Sequence, residues 1–176
     1  MSGVLGRAAL LARLAAEPPL LRDLGDVEAQ VQPHGIDLRL ESVWRFAGAG
    51  RIGRDGSGGA DRALPEREPV GFDAAGAVYL APGAYLVRFV EVVQLPADLM
   101  ALARPRSTLL RCGAALHTAV WDAGYVGRSE ALLTVGNSHG LWLERGARIC
   151  QLVFLPLDAP GAGYAGAYQG ENLFSE

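Results

Sequence analysis

The chain has 176 residues and a formal net charge of −3; half of its residues are hydrophobic and a fifth are charged. This profile is typical of a single soluble globular domain, residues 1–176. It argues against a general nucleic-acid or anionic-membrane binder, because both functions need a basic surface. All 16 basic residues are arginines. A bound anion would therefore have to be met by a local cluster of donors.

The N-terminal segment, residues 1–20, predicts one short amphipathic helix. Apolar residues recur at helical spacing over residues 4–16, and the two prolines at 18 and 19 end the pattern. Arg7 and Arg13 interrupt the apolar run, so the segment makes a poor signal peptide and is too short to span a bilayer. We therefore expect a cytoplasmic protein.

Short strands account for most of the remaining chain. Residues 35–43 alternate apolar and polar side chains, and residues 77–96, 131–137 and 147–157 are apolar or alternating runs of strand length. Residues 47–70 form a Gly-rich segment that predicts a mobile surface loop, since it lacks the ending of a phosphate-binding loop. The pattern favours a mostly β domain, a compact barrel or jelly roll.

The C-terminal segment, residues 159–176, has too few large hydrophobic residues to form core and predicts a mobile arm. The two cysteines, Cys112 and Cys150, lie in apolar stretches that predict buried thiols, although a disulfide stays possible. The sequence contains no zinc-ligand spacing, and its three histidines share no metal-binding pattern.

One short stretch, "RPRSTLLRCG" at 104–113, concentrates hydrogen-bond donors among leucines. Arg106 and Arg111 lie five residues apart with Ser107 between them. Clustered guanidinium and hydroxyl groups suit a multiply charged anion such as a triphosphate. The alternative is a solvated edge, or arginines that pair with acids elsewhere in the fold.

The order of the downstream motifs favours the anion-binding interpretation. "PRSTLLRCG" is followed by "AVWDAGYVGRSE", "GARICQLVF" and "YQGEN", and it is preceded by "VQPHGIDLRL". In this order the segments resemble the dUTPase and dCTP deaminase superfamily, and are most similar to archaeal-type dUTPases. The resemblance implies a distorted β-barrel of the dUTPase type that assembles as a homotrimer with active sites at subunit interfaces. It also implies Mg²⁺ and hydrolysis of dUTP to dUMP and pyrophosphate.

The resemblance assigns the triphosphate to Arg106, Ser107, Arg111 and Gln151. Gln151 matches the glutamine whose amide contacts phosphate in the family. By itself, Gln151 is also what the solvent face of an alternating strand would carry.

The same resemblance makes Asp122 the residue that orients and deprotonates the attacking water. Without it, Asp122 is an ordinary turn former before a glycine. Tyr125 would lie against the deoxyribose and leave no room for a 2′-hydroxyl. Ala119, Gly124 and the surrounding hairpin backbone would pair with the base edge.

Other candidates are less specific. Glu130 is either a solvated residue at the start of a strand or a second base, which would support or replace Asp122. Asp37 matches the early family motif and is expected in a metal–water network or in the trimer core. Tyr164, Tyr168 and Gln169 resemble the arm that closes over bound nucleotide.

Two other functions stay open. A dCTP deaminase, or a bifunctional deaminase and hydrolase, would carry a glutamate three residues before the asparagine that ends the strand; here that position is Thr134. Glu130 has the same strand parity but lies roughly 13 Å further along a regular strand, unless a bulge brings it closer. A non-catalytic relative would have lost the turn aspartate or the phosphate arginines, and both are present.

Overall fold

A computed structural model of the chain describes residues 3–54, 62–160 and 162–174. In that part of the chain the helices are α1 (Arg7–Leu14), α2 (Val27–Gln30) and α3 (Ser107–Arg111). The first strands are β1 (Leu21–Arg22), β2 (Val31–Gln32), β3 (Gly35–Phe46), β4 (Arg51–Ile52), β5 (Arg62–Ala63), β6 (Arg67–Pro69), β7 (Ala77–Leu80) and β8 (Gly83–Phe89). The later strands are β9 (Val92–Gln94), β10 (Leu99–Pro105), β11 (Ala114–His117), β12 (Val126–Gly127), β13 (Glu130–Val135), β14 (Leu141–Glu144) and β15 (Arg148–Pro156).

The largest sheet has eight strands, and its main path runs β10-β15-β3-β8-β13-β11, with β2 and β6 also paired to β3. Its ladders are antiparallel. The two edge strands, β10 and β11, contact each other, so the sheet curls into a nearly closed barrel. The predicted mostly β architecture is confirmed.

The core is formed by the apolar side chains that alternate with more exposed ones along the strands. In β13, Ala131, Leu133 and Val135 are buried while the residues between them are partly exposed. This is the period of two that packs one face of a sheet. β3 differs, because consecutive residues 35–38 are all buried. The N-terminal helices α1 and α2 contact β3, so this part of the strand is covered on its second face as well.

Helix α1 confirms the predicted N-terminal helix and shows what it packs against. It contacts β2 and β3, and its Leu10 is fully buried in the core. Burial of one leucine contributes about 1.5–3 kcal/mol. No helix in the described ranges has the length and hydropathy needed to cross a membrane.

The Gly-rich segment contains more regular structure than the sequence predicts. β4 and β5 form a two-stranded hairpin, and β6 pairs with the end of β3. Residues 55–61, which include much of the glycine-rich stretch, lie outside the described residues. The stem of the hairpin is therefore close to the barrel at the end of β3.

The prediction that both cysteines are buried is right for Cys150 and wrong for Cys112. Both thiols are free. Cys150 is fully buried on β15, whereas Cys112 ends the short helix α3 and is exposed. The apolar neighbours of Cys112 misled the sequence analysis, because a five-residue helix on the surface buries only Leu109.

This difference predicts thiol reactivity. Burial raises the pKa of the Cys150 thiol well above its ordinary value, so its reactive thiolate is suppressed, while Cys112 is accessible. With an aromatic disulfide reagent, the native protein should release one equivalent of chromophore per chain and the denatured protein two. The Cys112→Ser variant should be unreactive until it is unfolded. Fast reaction of that native variant would contradict the buried position of Cys150.

Candidate active site

A cavity of about 790 Å³ opens between the end of β3, the segment that leads from β11 to β13, and the C-terminal arm. One wall is apolar and includes Phe46, Leu64 and Leu86. The facing wall comes from residues 119–122 and Tyr125, which belong to the hairpin segment 118–129. Three acids line the cavity, namely Asp122, Glu130 and Glu171, and each has a different environment.

Asp122 lies in the hairpin turn. The Tyr125 amide donates to the Asp122 carbonyl, and Gly124 follows with φ +82°. At Gly124 a Cβ would come within 2.9 Å of Gly163, so this position needs glycine for both its backbone conformation and its space. The turn is anchored to the barrel, because Trp121 pairs with Ala101 of β10.

The Asp122 side chain is exposed, and among the described residues no group donates to its carboxylate. It borders a second cavity of about 410 Å³, which lies between the hairpin and the start of the arm. A carboxylate with free lone pairs can accept a proton from water. Asp122 is therefore available as a general base.

Glu130 has the opposite environment. Arg67 Nη1 contacts both of its carboxylate oxygens at 2.9 Å, and Arg88 Nη2 donates to Oε1 at 3.0 Å. The guanidinium groups of Arg67 and Arg88 each lie 4.7 Å from the ring centroid of Trp44, so the indole is stacked with both cations. Two arginines therefore occupy the oxygens of the Glu130 carboxylate.

β13 pairs with β8 in continuous register from Glu130 to Val135 and with β11 from Leu132 to Val135, so neither ladder contains a bulge. Glu130 and Thr134 share the less buried face, as their parity predicts. Thr134 is not part of the cavity lining. The bulge that could have moved Glu130 towards the position of the deaminase acid is absent from this strand.

Tyr125 is buried inside the hairpin, and its hydroxyl donates to Glu171 Oε1 at 2.7 Å. Its ring meets Tyr164 edge-on, with 5.8 Å between the centroids. Burial, and then the contact with Glu171, raise the pKa of Tyr125, so the phenol stays a neutral donor.

The C-terminal arm is docked along the hairpin. Its backbone bonds join Tyr164 to Ala123, Gly170 to Val126 and Glu171 to Arg128. Gln169 bonds the hairpin twice, since its Oε1 accepts from the Val126 amide and its Nε2 donates to the Gly124 carbonyl. The arm is therefore held against the hairpin by backbone and side-chain hydrogen bonds, a placement that its composition did not predict.

The arm also reaches the Gly-rich hairpin. Tyr168 lines the cavity, and the Arg62 guanidinium lies 5.2 Å from the centroid of its ring. The stem of the β4–β5 hairpin therefore contacts the arm.

The arginine-rich stretch forms a separate group at the far end of β10. Arg106 precedes α3, and its Nε lies 3.2 Å from Asp37 Oδ2. Arg148 Nη1 approaches the same oxygen at 3.4 Å, and Gln151 is the cross-strand partner of Asp37. Ser107 and Arg111 lie exposed at the two ends of α3.

Asp37 is fully buried, and its Oδ1 has no hydrogen-bond partner among the described residues. Burial raises the pKa of Asp37, while Arg106 and Arg148 act against that rise. Asp37 therefore anchors Arg106. The sequence left open that arginines of this stretch pair with acids elsewhere in the fold, and Arg106 does so.

The predicted site residues thus fall into two groups within one chain. Those that line the cavity are Ala119, Asp122, Tyr125, Glu130, Tyr164 and Tyr168. Those that do not are Asp37, Arg106, Ser107, Arg111 and Gln151, with Gly124 and Gln169 behind the hairpin wall. Trp121 pairs with Ala101, and Arg106 lies five residues further on, roughly 17 Å along an extended chain.

Sequence reasoning missed Arg67, Arg88, Arg148 and Glu171. The only available signals were Arg148 within "GARICQLVF" and Glu171 within "YQGEN", both of which belong to motifs already singled out. Arg67 and Arg88 lie in segments with no motif, so no signal was available for them.

Comparison with known proteins identifies the class to which this fold and site belong. Residues 4–157 match the family described as dCTP deaminase-like. The chain belongs to this family.

Individual relatives narrow the comparison. The chain is 52% identical over 163 residues to a probable deoxyuridine 5′-triphosphate nucleotidohydrolase of Archaeoglobus fulgidus, covering 93% of this chain and 94% of that one. It is 46% identical to a protein of the same description from Methanosarcina mazei, covering 90% and 92%. Among solved structures, the 2′-deoxycytidine 5′-triphosphate deaminase of Agrobacterium tumefaciens matches with a TM-score of 0.67 at 26% identity. That match covers 89% of this chain but only 48% of the deaminase chain.

The environment of Glu130 leads to a stability prediction. Glu130→Ala leaves Arg67 and Arg88 without their shared anion, so the free energy of unfolding should fall by about 1–3 kcal/mol in urea denaturation. Glu144→Ala is the matched control, because Glu144 is exposed on β14 and makes no ion pair with the described residues. Its effect should stay within about 0.5 kcal/mol. Equal losses for the two variants would show that the paired arginines do not depend on Glu130.

Proposed function

We propose that this protein is a dUTP diphosphatase, which hydrolyses dUTP to dUMP and pyrophosphate. The observation that carries the proposal is the state of the three cavity acids. Glu130 is held by two arginines and Glu171 accepts a hydrogen bond from Tyr125, whereas Asp122 keeps a free carboxylate. The names of the two archaeal relatives support the same reaction.

In the proposed mechanism Asp122 orients a water molecule and accepts its proton as the water attacks the α-phosphorus. A new bond forms between the water oxygen and phosphorus, the bond to the bridging oxygen breaks, and pyrophosphate leaves with the electron pair. In-line attack places the water opposite the leaving group. A carboxylate suits this role because its pKa lets it stay ionised at neutral pH until the water proton is transferred.

The triphosphate is bound by Arg106, Ser107, Arg111 and Gln151. The overall charge of −3 would repel a polyanion, so these local donors have to supply the attraction. Ser107 and Arg111 are exposed at the ends of α3, and Asp37 holds the Nε side of Arg106. That contact leaves the terminal nitrogens of Arg106 as donors for phosphate oxygens.

Mg²⁺ is the expected cofactor, bound mainly through substrate phosphates and water. The described residues contain no cluster of three or more metal-ligating side chains. The Asp122 carboxylate, free among the described residues, is a hard oxygen donor that fits a water-bridged magnesium ion. Asp37, whose Oδ1 has no partner among the described residues, is fully buried in the other group. When bound, the ion would offset phosphate charge.

The nucleoside occupies the cavity. Ala119 and the neighbouring hairpin backbone pair with the base edge, and Gly124 lets the hairpin turn at this point. Tyr125 lies against the deoxyribose and excludes a 2′-hydroxyl. Tyr164 and Tyr168 of the arm close the cavity, and Gln169 fixes the arm to the hairpin.

A second copy of the chain completes each site. The cavity with Asp122 and the phosphate group around Arg106 lie at opposite ends of β10, and neither borders the other. A head-to-tail interface would bring the cavity of one copy to the phosphate group of the next, and a threefold ring closes such a chain. This is the arrangement expected for a homotrimer with three sites.

Deamination of dCTP is the second candidate, favoured by the family description and by the Agrobacterium deaminase. It would need a free acid in the role of proton shuttle. Glu130 is the acid on the relevant strand face, and its two arginines suppress that role.

Product analysis tests the proposed reaction. Incubation with dUTP should release pyrophosphate, and incubation with dCTP should release no ammonia. Asp122→Asn keeps the shape but removes the base, so kcat for dUTP should fall on the order of 10²–10⁴-fold while nucleotide binding is kept. Efficient ammonia release from dCTP would show instead that the protein is a dCTP deaminase. Asp122→Asn activity within about threefold of wild type would move the base to another group.

Subunit complementation tests the shared site. Asp122→Asn and Arg111→Ala each disable a different half, and Arg111 is exposed with no ion pair to the described residues, so its loss should not unfold the chain. The two variants are co-expressed with different tags, and mixed oligomers are isolated through both tags. In a mixed cyclic trimer one of three interfaces joins two intact halves, so about one third of wild-type activity should return. Mixed oligomers no more active than the parents would place the whole site within one chain.

A further inference from the structure

The buried phenol of Tyr125 is held by one specific partner from the far end of the chain. Glu171 Oε1 accepts the phenol hydrogen bond at 2.7 Å, and the two residues are 46 positions apart. The Ser129 hydroxyl is also close to the phenol; it is buried and makes no well-formed hydrogen bond of its own. Glu171 is therefore the acceptor that fixes the direction of the phenol O–H bond.

The surrounding backbone leaves space for this pair. At Gly127 a Cβ would lie 2.5 Å from the Tyr125 hydroxyl oxygen and 3.1 Å from Glu171 Cγ. Any larger residue would push the phenol and the carboxylate apart. Gly127 belongs to β12, which pairs with β9, so the wall behind the pair is part of the sheet structure.

The arm brings Glu171 to this place by contacts that do not involve its side chain. The Arg128 amide donates to the Glu171 carbonyl, and the Gly170 amide donates to the Val126 carbonyl. Asn172 then donates to the Arg128 carbonyl. Since neighbouring backbone groups already dock the arm, the Glu171 carboxylate is free to act on Tyr125 alone.

Burial raises the pKa of Glu171, and the phenol hydrogen bond acts against that rise. Other charged groups near Glu171 are Glu130, Arg88 and Arg67. Arg67 and Arg88 both donate to Glu130, so the Glu130 carboxylate competes little with Glu171 for the Tyr125 hydroxyl. The phenol–carboxylate bond is thus a local interaction with a single donor and a single acceptor.

We propose that Glu171 is a positioning residue that sets sugar selection: by accepting the Tyr125 hydrogen bond it holds the aromatic ring against the nucleotide sugar. The proposal rests on the proposed function, in which Tyr125 packs against deoxyribose. A fixed ring leaves no space for a 2′-hydroxyl. A ring that can shift, once its hydroxyl has lost its acceptor and only packing contacts such as the edge contact with Tyr164 remain, can accommodate one. Discrimination between dUTP and UTP therefore depends on an arm residue that acts through the Tyr125 ring.

The test compares kcat/KM for dUTP with kcat/KM for UTP in wild type, Glu171→Ala, Glu171→Gln, Tyr125→Phe and the double variant Tyr125→Phe/Glu171→Ala. Loss of one hydrogen bond to a charged group should lower the dUTP/UTP ratio by about 10-fold in Glu171→Ala. Tyr125→Phe removes the same bond and should lower the ratio by a similar factor. The double variant should show no further loss, because both changes delete one interaction.

Two controls separate positioning from arm docking. Glu171→Gln keeps an oxygen acceptor and should retain most of the selectivity. Gln169→Ala weakens the arm's attachment at Val126 and Gly124 without touching the Tyr125 side chain, so it should lower kcat/KM for both nucleotides and leave their ratio unchanged. A ratio within about twofold of wild type in Glu171→Ala would overturn the proposal, as would multiplicative effects in the double variant.

Failure of the proposed function has its own signature, namely no pyrophosphate from dUTP with the wild-type protein. In that event the same variants are compared by calorimetric binding of dUTP and UTP, which reports sugar selection without turnover. A ratio of binding constants that falls in Glu171→Ala and not in Gln169→Ala would support the positioning role even then. An unchanged ratio, or no binding of either nucleotide, would overturn it.

Discussion

The architecture depends on one long strand, β3, because both halves of the candidate site are attached to it. Near its start, β3 pairs with β15 and carries the buried Asp37 beside Arg106 and Arg148. Near its end, β3 pairs with β6 and β8, and its Phe46 lines the cavity while Trp44 stacks with Arg67 and Arg88. Nine residues separate Asp37 from Phe46, or roughly 30 Å of extended strand. A single strand therefore holds the two halves apart, and this distance is the physical reason to expect that a second copy completes the site.

Charge compensation then decides which acid can work. A carboxylate whose oxygens are occupied by arginines or by other buried partners has few lone pairs left to receive a water molecule. Glu91 is fully buried against Gln30 and Arg39, Asp37 is shared by two arginines, and Glu130 by two more. Asp122 alone among the cavity acids has neither constraint. The same arrangement that stabilises the fold thus leaves one acid available for proton transfer.

The C-terminal arm is attached to the barrel mainly through the hairpin. Backbone hydrogen bonds join it to the hairpin, and among its described residues Tyr164 is the hydrophobic side chain that packs against the core. A segment held mainly by edge hydrogen bonds opens at a lower cost than a core strand. Such a segment can release product and still place Glu171 and Tyr168 at the cavity when it is docked.

Local pattern determined a large part of this protein from the sequence alone. The alternation of residues 35–43 predicted β3, the helical spacing near the N-terminus predicted α1, and the ordered motifs predicted the family and the mostly β barrel. These features succeed because side-chain period and motif order are properties of neighbouring residues. The same reasoning placed Cys112 in the interior, which failed because a five-residue surface helix has no face large enough to bury it.

Only the tertiary structure decided which side chains share an environment. Tyr125 and Glu171 are 46 positions apart, Arg67 and Glu130 are 63, and Asp37 and Arg148 are 111. No local pattern encodes such pairs, because they arise when the barrel closes and the arm docks on the hairpin. The sequence therefore identified Asp122 as an acid in a turn. That Glu130 has two arginines beside it, while Asp122 has no ion pair within the described ranges, is a consequence of long-range packing.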